Sequence, residues 1–153
     1  MENTKEWLTE AAFSAGEAGE LAGLPYSTMG LWAREGALSP SIRDAAGYGS
    51  RRQYSFLDVL ALCAGQQCRA LDVGLKMAGT MMRFVQKAAV PAESELLTVY
   101  LYPGGVVSFQ PGGETEPCLR AVLPVKSLAE RARRVVLSRA GLYRGSALSA
   151  DGS

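Results

Sequence analysis

The side chains best suited to chemistry in this chain lie in a stretch rich in glycine and alanine within its first half. They are Arg43, Tyr48, Arg51, Arg52, Gln53 and Tyr54. A guanidinium group can bind phosphate through two parallel hydrogen bonds, while tyrosine and glutamine side chains can hydrogen-bond phosphate or sugar oxygens. The pattern favours a surface that binds a nucleic-acid backbone. The alternatives are a solvated arginine loop and tyrosines that brace a hairpin by packing.

A second group of polar side chains comes earlier in the sequence. Tyr26, Ser27 and Thr28 follow a proline, where a short helix is predicted, and Arg34 lies two turns further along. The first turn of a helix carries unsatisfied N–H groups and a partial positive charge that favour phosphate, and its side chains can reach base edges. These residues are therefore candidate DNA contacts.

Local signals predict the helices that would hold these groups. Ser14 and Glu17 have the spacing of a capping box, in which each side chain satisfies a backbone N–H of the other residue. Gly23 and Pro25 then end this first helix, since glycine permits a left-handed backbone and proline cannot continue the helix. Small residues along the first helix would let a second helix approach closely.

The second predicted helix is capped by Ser27 and ends at Gly36. Its bulky residues Met29, Leu31 and Trp32 cannot all face one core, so at least one of them should point outward. Trp32 is expected to be a core residue, with reading of a base as the alternative. A helix this short is stable only when it packs on its neighbours.

Turn residues between Ser39 and Ser55 predict a hairpin that carries the first group of arginines. Ser55 can cap a third helix, with Asp58 in its first turn, where the helix dipole favours negative charge. Two short helices, an arginine-bearing hairpin and a third helix form the layout of a winged helix-turn-helix, in which the hairpin is the wing.

The order and spacing of these landmarks resemble the MerR family of transcription regulators. In the second helix and at its end, the matching residues are Thr28, Met29, Leu31, Trp32, Gly36, Leu38 and Pro40. In the wing and the third helix they are Arg43, Gly47, Tyr48, Arg51, Arg52, Tyr54, Asp58 and Leu62. The resemblance covers roughly the first half of the chain. It implies that the second helix enters the major groove and that the wing lies along the flanking backbone or minor groove.

The chain departs from the family pattern at two positions of the second helix. The family usually has an arginine that reaches DNA two residues after the threonine, where this chain has Gly30. It tends to have an acidic residue where this chain has Ala33. The wing is also a few residues longer than usual. The resemblance therefore implies a DNA sequence unlike the usual one.

Composition limits the classes of protein that fit. The chain has 153 residues, 48% of them hydrophobic, and a formal net charge of +1. This length allows one ordinary domain or two small ones, and the low charge argues against a protein that coats nucleic acid nonspecifically. Basic residues are nevertheless concentrated between residues 125 and 144, where Glu130 is the one acidic residue. They are Lys126, Arg131, Arg133, Arg134, Arg139 and Arg144.

The chain contains Cys63, Cys68 and Cys118 but no histidine. Cys63 and Cys68 are five residues apart on a predicted helix and lie on different faces of it. We expect structural cysteines, no metal site and no cofactor, with a thiol sensor as the alternative.

No nucleophile–base pair or phosphate-cradling loop is visible, so an enzyme is not expected. No signal peptide or membrane-length apolar run is visible, which predicts a cytoplasmic protein without membrane contact.

The third helix is predicted over about residues 56–71, and another helix over about 73–89. The latter has an apolar stripe formed by Leu75, Met77, Ala78, Met81, Met82, Phe84 and Val85. This stripe is expected to be core, with an adaptable cavity for an apolar effector as the alternative.

Two strands are predicted at residues 96–102 and 106–109, on either side of a proline–glycine–glycine turn. A third strand is predicted at residues 119–123.

A basic amphipathic helix, capped by Ser127, is predicted from Ser127 to Arg139. Its polar side is either solvated or makes auxiliary phosphate contacts. The chain as a whole is predicted to be α+β, mainly α. The expected divisions are a disordered or frayed N-terminus (1–12), a winged helix-turn-helix DNA-binding domain (13–72), a connecting helix (73–90), a small β-hairpin and helix unit for dimerisation or effector response (95–142) and a disordered tail (143–153).

No sustained heptad pattern follows residue 90, so the coiled coil by which many MerR-like regulators pair is not predicted. A homodimer is still expected, because one short helix and one wing bury too little surface for specific affinity. Pairing would use the hairpin or the last helix.

Two functional classes fit these features. The first is a sequence-specific transcription regulator that binds double-stranded DNA, and the resemblance adds RNA polymerase at a promoter as a partner. The alternative is an architectural DNA-binding protein of a mobile element, similar to an excisionase or a small terminase subunit.

Overall fold

The computed structural model describes residues 11–43, 51–88 and 95–139. Within these ranges the fold is α+β and mainly α, as predicted, with five helices and two small antiparallel sheets. The elements are β1 (Phe13–Ser14), α1 (Ala15–Ala22), α2 (Tyr26–Arg34), β2 (Gln53–Tyr54), α3 (Phe56–Ala70), α4 (Leu75–Lys87), β3 (Leu97–Tyr102), β4 (Val106–Ser108), β5 (Leu119–Leu123) and α5 (Val125–Arg139). Tyr48 and the predicted disordered tail lie outside the described residues, as does most of the predicted N-terminal segment.

Helix α1 begins and ends as its local signals predict. The Glu17 backbone N–H donates to Ser14 Oγ at 3.1 Å, and the Ser14 N–H donates to Glu17 Oε1 at 2.9 Å. Gly23 ends the helix with a left-handed backbone at φ 79°. Gly19 lies close to both the turn and α2, since an added Cβ atom would lie 3.0 Å from the Leu24 carbonyl oxygen and 3.1 Å from Met29 Cγ. Glycine at this position therefore allows the tight turn between the two helices.

The prediction that Ser27 caps α2 is wrong. The helix begins at Tyr26, its N-cap residue is Pro25, and no side chain makes a capping hydrogen bond. Pro25 already has the extended backbone of an N-cap residue, with φ −64° and ψ 149°, so the chain turns into the helix before Ser27. The prediction that one bulky residue points outward is confirmed, because Leu31 is 43% exposed while Met29 is buried.

Helices α3 and α4 form the centre of the molecule. Trp32 is a core residue, as predicted, and packs on Gly65 of α3, where an added Cβ would lie 2.8 Å from Trp32 Cζ3. The same Cβ would overlap Sδ of Met82 in α4. Most of the predicted apolar stripe of α4 is core: Ala78, Met81, Met82 and Val85 are buried, and Met77 and Phe84 pack against the core. Leu75, at the start of the helix, is exposed. Helix α4, predicted to be a connecting helix, thus packs closely on α3.

The three-stranded sheet has the order β4-β3-β5, and both pairings are antiparallel. The predicted hairpin and third strand are therefore present. Gly104 and Gly105 allow the tight turn between β3 and β4, with φ of 84° and 81°. The sheet is tied to α3 by the Gln67 side chain, which donates to the Val122 carbonyl oxygen at 2.7 Å and accepts from its N–H at 2.9 Å.

Helix α5 begins at Val125, two residues earlier than predicted, so Ser127 lies inside it. Its apolar side packs into the same core as α1 and α3, with Leu128 and Ala132 fully buried. At its end, Arg139 Nη2 donates to the Ala12 carbonyl oxygen at 2.6 Å. The β-hairpin and helix unit therefore shares one hydrophobic core with the helix-turn-helix.

Candidate nucleic-acid interface

Helix α2 has one face in the core and one face in solvent. Met29 and Trp32 anchor the inner face. On the outer face Tyr26 is 71% exposed, Ser27 and Arg34 are exposed, and Thr28 is half-buried. The structure therefore brings the polar residues predicted on this helix to the protein surface, on a rod that the core holds rigid.

Arg34 lies close to the residue one turn before it in α2. A Cβ atom on Gly30 would lie 3.0 Å from Nη1 of Arg34 and 3.9 Å from its Cζ. The guanidinium group is thus folded back along the helix, over the open backbone of Gly30. Arg34 is exposed and makes no hydrogen bond or ion pair with the described part of the chain.

The base of the predicted wing is built from two residues on facing segments. The Arg43 N–H donates to the Gln53 carbonyl oxygen at 3.1 Å, and the Gln53 N–H donates to the Arg43 carbonyl oxygen at 2.7 Å. Arg43 and Arg51 are exposed, while Arg52 and Gln53 are partly buried. This antiparallel bridge places Arg43 opposite Gln53, and Arg51 and Arg52 directly precede Gln53 in the sequence.

Tyr54 was predicted to contact DNA, but its side chain is only 1% exposed. It is opposite Phe13 in the pairing of β1 with β2, and both rings lie in the core. Tyr54 is thus a packing residue that joins the wing to the start of α1. This matches the alternative in which a tyrosine braces the hairpin.

A buried carboxylate holds the segment that leads into the wing. Asp58 Oδ2 accepts from the Ser41 N–H at 2.8 Å, the Ser41 hydroxyl at 2.8 Å and the Ser55 N–H at 2.9 Å. Its other oxygen accepts from Gln86 Nε2 at 2.8 Å. Asp58 is fully buried and also completes a capping box with Ser55. It thereby joins the wing, α3 and α4 at one point.

Two side chains of α4 fix the loop between α2 and the wing. Arg83 Nη1 donates to the carbonyl oxygens of Gly36 and Ala37, at 3.3 and 3.1 Å. Gln86 Nε2 donates to the Ser39 carbonyl oxygen at 2.7 Å. Sequence reasoning missed both residues, because their acceptors are backbone groups more than forty residues away. They position the candidate interface without being part of its surface.

A surface concavity of about 360 Å³ lies beside α2. Its lining includes Thr28 and Leu31 of α2, together with Arg69 at the end of α3. Arg69 is exposed and adds a cation near the predicted contact Thr28. Sequence reasoning missed Arg69 because nothing local indicates that the end of α3 lies beside α2.

The cysteines of α3 are core residues. Cys68 Sγ lies 3.6 Å from Met81 Sδ, and burial raises the pKa of Cys63 and of Cys68 to about 11. For Cys63, the positive charge of Arg131 opposes this rise. Neither thiol is a reactive thiolate at neutral pH. Within the described ranges, no group of three or more metal-binding side chains is present.

Part of this chain is similar to known proteins. Residues 13–85 match the family described as MerR HTH family regulatory protein, a range that includes α1 to α3 and most of α4. Over 58 residues the chain is 45% identical to uncharacterized HTH-type transcriptional regulators of Mycobacterium bovis and Mycobacterium tuberculosis. The similar segment covers 38% of this chain and 25% of each relative. Among the described helices, none is long and apolar enough to cross a membrane.

Proposed function

We propose that this chain, whose residues 13–85 form a MerR-type helix-turn-helix domain, is a sequence-specific DNA-binding transcription regulator. The observation that carries the proposal is the exposed polar face of α2, a helix whose opposite face is buried in the core. Helix α2 would enter the major groove, where a rigid helix presents side chains to base edges. Tyr26, Ser27 and Thr28 would make contacts from its first turn.

The wing supplies the contacts to the flanking backbone. Arg43, Arg51 and Arg52 would bind phosphates, because guanidinium donors match phosphate oxygens and carry charge that displaces counterions. Gln53 and Tyr48 would add hydrogen bonds. The rigid base of the wing supports this assignment, since Gln53 is paired both with Ser14 and with Arg43.

The protein would act as a homodimer on a palindromic site, because two copies double the surface that one α2 helix and one wing can bury. Pairing through the β3–β4 hairpin is favoured over pairing through α5. The exposed side of α5 carries Arg131, Arg133 and Arg134, and a two-fold contact would bring these like charges together. Size-exclusion chromatography with light scattering at micromolar concentration should give twice the monomer mass of 16.3 kDa. A monomer would contradict this part of the proposal.

The transcription regulator is favoured over the architectural protein of a mobile element. The mycobacterial relatives are named as HTH-type transcriptional regulators, and this supports the transcription regulator. RNA polymerase at a promoter is proposed as the partner that this regulation would affect.

The salt dependence of DNA binding tests the proposal. A preferred duplex is first selected from random sequence, and binding of the double variant R51A/R52A is then measured at several salt concentrations. Each lost phosphate contact should reduce the slope of log affinity against log salt by about 0.9, so the slope should fall by roughly two. The affinity should fall on every duplex.

A matched control is the double variant R120A/K126A, which removes the same charge from exposed positions of the β-hairpin and helix unit. It should leave the slope nearly unchanged. Equal slopes for the wild type and R51A/R52A would show that the wing does not contact phosphate. A wild type that selects no duplex would overturn the proposed function itself.

A further inference from the structure

Helix α2 contains a glycine inside its second turn that backbone geometry does not require. Gly30 has no left-handed backbone, and a glycine within a helix is less stable there than an alanine. The space over Gly30 is occupied by the Arg34 guanidinium, which an added Cβ would approach to 3.0 Å. The absence of a side chain at residue 30 therefore permits the position of Arg34.

Helix α4 contains the same arrangement, with glycine and arginine four residues apart. A Cβ on Gly79 would lie 2.9 Å from Nη1 of Arg83. In that pair the folded guanidinium donates to two carbonyl oxygens, those of Gly36 and Ala37. In α4 this conformation aims the arginine at acceptors beside the helix. The Arg34 side chain has the same folded conformation, but within the described chain its guanidinium group has no acceptor.

We propose that Arg34, with its guanidinium over Gly30, reads a guanine in the major groove. This inference rests on the proposed function. A guanidinium is a planar fork of donors, and guanine presents two acceptors, O6 and N7, that match it. The Arg34 side chain folds back toward the middle of α2. Its charge therefore lies closer than its Cα atom does to the first turn of α2, which is proposed to enter the groove.

The neighbouring surface fits a base contact better than a phosphate contact. Leu31 is 43% exposed beside Arg34 on the outer face of α2. An aliphatic side chain gains nothing beside a phosphate, but it can pack on the methyl group of thymine. Arg34 and Leu31 together predict a guanine next to a thymine in each half-site.

The test uses a duplex selected by the wild type, in which each guanine is replaced in turn by 7-deazaguanine. This base lacks the N7 acceptor but keeps its pairing and its backbone. Replacement at one position of each half-site removes one of the two acceptors that Arg34 would use, since O6 is kept, and should weaken wild-type binding about tenfold. R34A should bind the native and the replaced duplex equally.

Two further variants test the role of Gly30. G30A should fold, since alanine favours the helix and only the flexible end of Arg34 must move. Its Cβ should displace the guanidinium and reduce the discrimination against 7-deazaguanine several-fold. R34K keeps the charge but lacks the fork, so it should lose most of the discrimination while keeping the salt dependence.

Three outcomes would overturn the inference. Wild-type binding that is insensitive to every 7-deazaguanine excludes guanine reading through N7. In the second outcome, R34A binds every duplex more weakly, still distinguishes guanine from 7-deazaguanine, and shows a slope of log affinity against log salt reduced by about one. That result would identify Arg34 as a phosphate contact. A wild type that selects no duplex removes the proposed function together with the inference, whereas the first two outcomes leave that function standing.

Discussion

Replacing Asp58 with alanine should destabilise the protein far more than replacing Glu17 with alanine, although both residues complete a capping box. Glu17 accepts one backbone hydrogen bond at the start of α1, and its side chain is 29% exposed. Asp58 does the same at the start of α3, is fully buried and accepts three further hydrogen bonds. Comparing the stability of the two variants therefore separates the effect of losing the cap from the effect of losing buried hydrogen bonds.

The expected magnitudes follow from these contacts. Loss of the exposed cap costs roughly 1 kcal/mol, and the 3.7 Å contact of Glu17 with Arg139 adds at most about 1 kcal/mol because both side chains are partly solvated. A hydrogen bond to a charged group contributes roughly 1.5–3 kcal/mol, and D58A strands donors in the interior. Allowing for non-additivity, D58A should lower the free energy of unfolding by about 3–5 kcal/mol.

Urea denaturation followed by circular dichroism measures both changes. D58N is a useful third variant, because its amide oxygen can keep the contacts of Oδ2 while its NH₂ group faces the Gln86 donor. D58N should lie between wild type and D58A in stability. It should also weaken DNA binding at temperatures where it is folded, since Ser41 leads into Arg43 of the wing. Equal destabilisation by D58A and E17A would refute the argument that burial and the added partners decide the effect.

Other predictions concern the core. G65A should destabilise the protein by about 1–3 kcal/mol in urea denaturation, because its Cβ would overlap Met82 and Trp32, whereas G30A should be neutral or stabilising. In the folded protein a thiol reagent should label the exposed Cys118 rapidly, and Cys63 and Cys68 only after unfolding. Stability should decline as pH rises from 9 toward 11, because unfolded thiols ionise near pH 9.0 while these two keep their protons to about 11. Stability that is constant over that range would contradict their burial.

Local sequence signals predicted the parts of the fold whose interactions are local. The predicted capping box of α1 joins residues three positions apart, the predicted Ser55 cap of α3 is present, and the β3–β4 turn depends on adjacent glycines. The capping box that Asp58 completes with Ser55 was not predicted. The prediction for Ser27 failed although it was also local, because Pro25 supplied the extended backbone of an N-cap two residues earlier. Both Pro25 and Ser27 are residues that can begin a helix, and their sequence positions do not show which of them does so.

The candidate site was only partly accessible to the same reasoning. The exposure of Tyr26 and Arg34 agrees with the prediction, because helical spacing separates the outer from the inner face of α2. The burial of Tyr54 could not be read from its spacing, since it depends on the pairing of β2 with Phe13. The contacts of Asp58 with Ser41 and Gln86 likewise join residues from three separate segments.

Propensities, caps and turns act over a few residues, so the helices, the hairpin and the MerR-like order of landmarks could be predicted from the sequence. The tertiary structure added the contacts between distant segments and the burial that follows from them, as for Tyr54. It placed Arg83 and Gln86 of α4 against the loop before the wing, and it packed α5 onto α1. Packing of distant segments has no local signature, and the position of the Arg34 guanidinium over Gly30 became visible only when the side chains were placed in three dimensions.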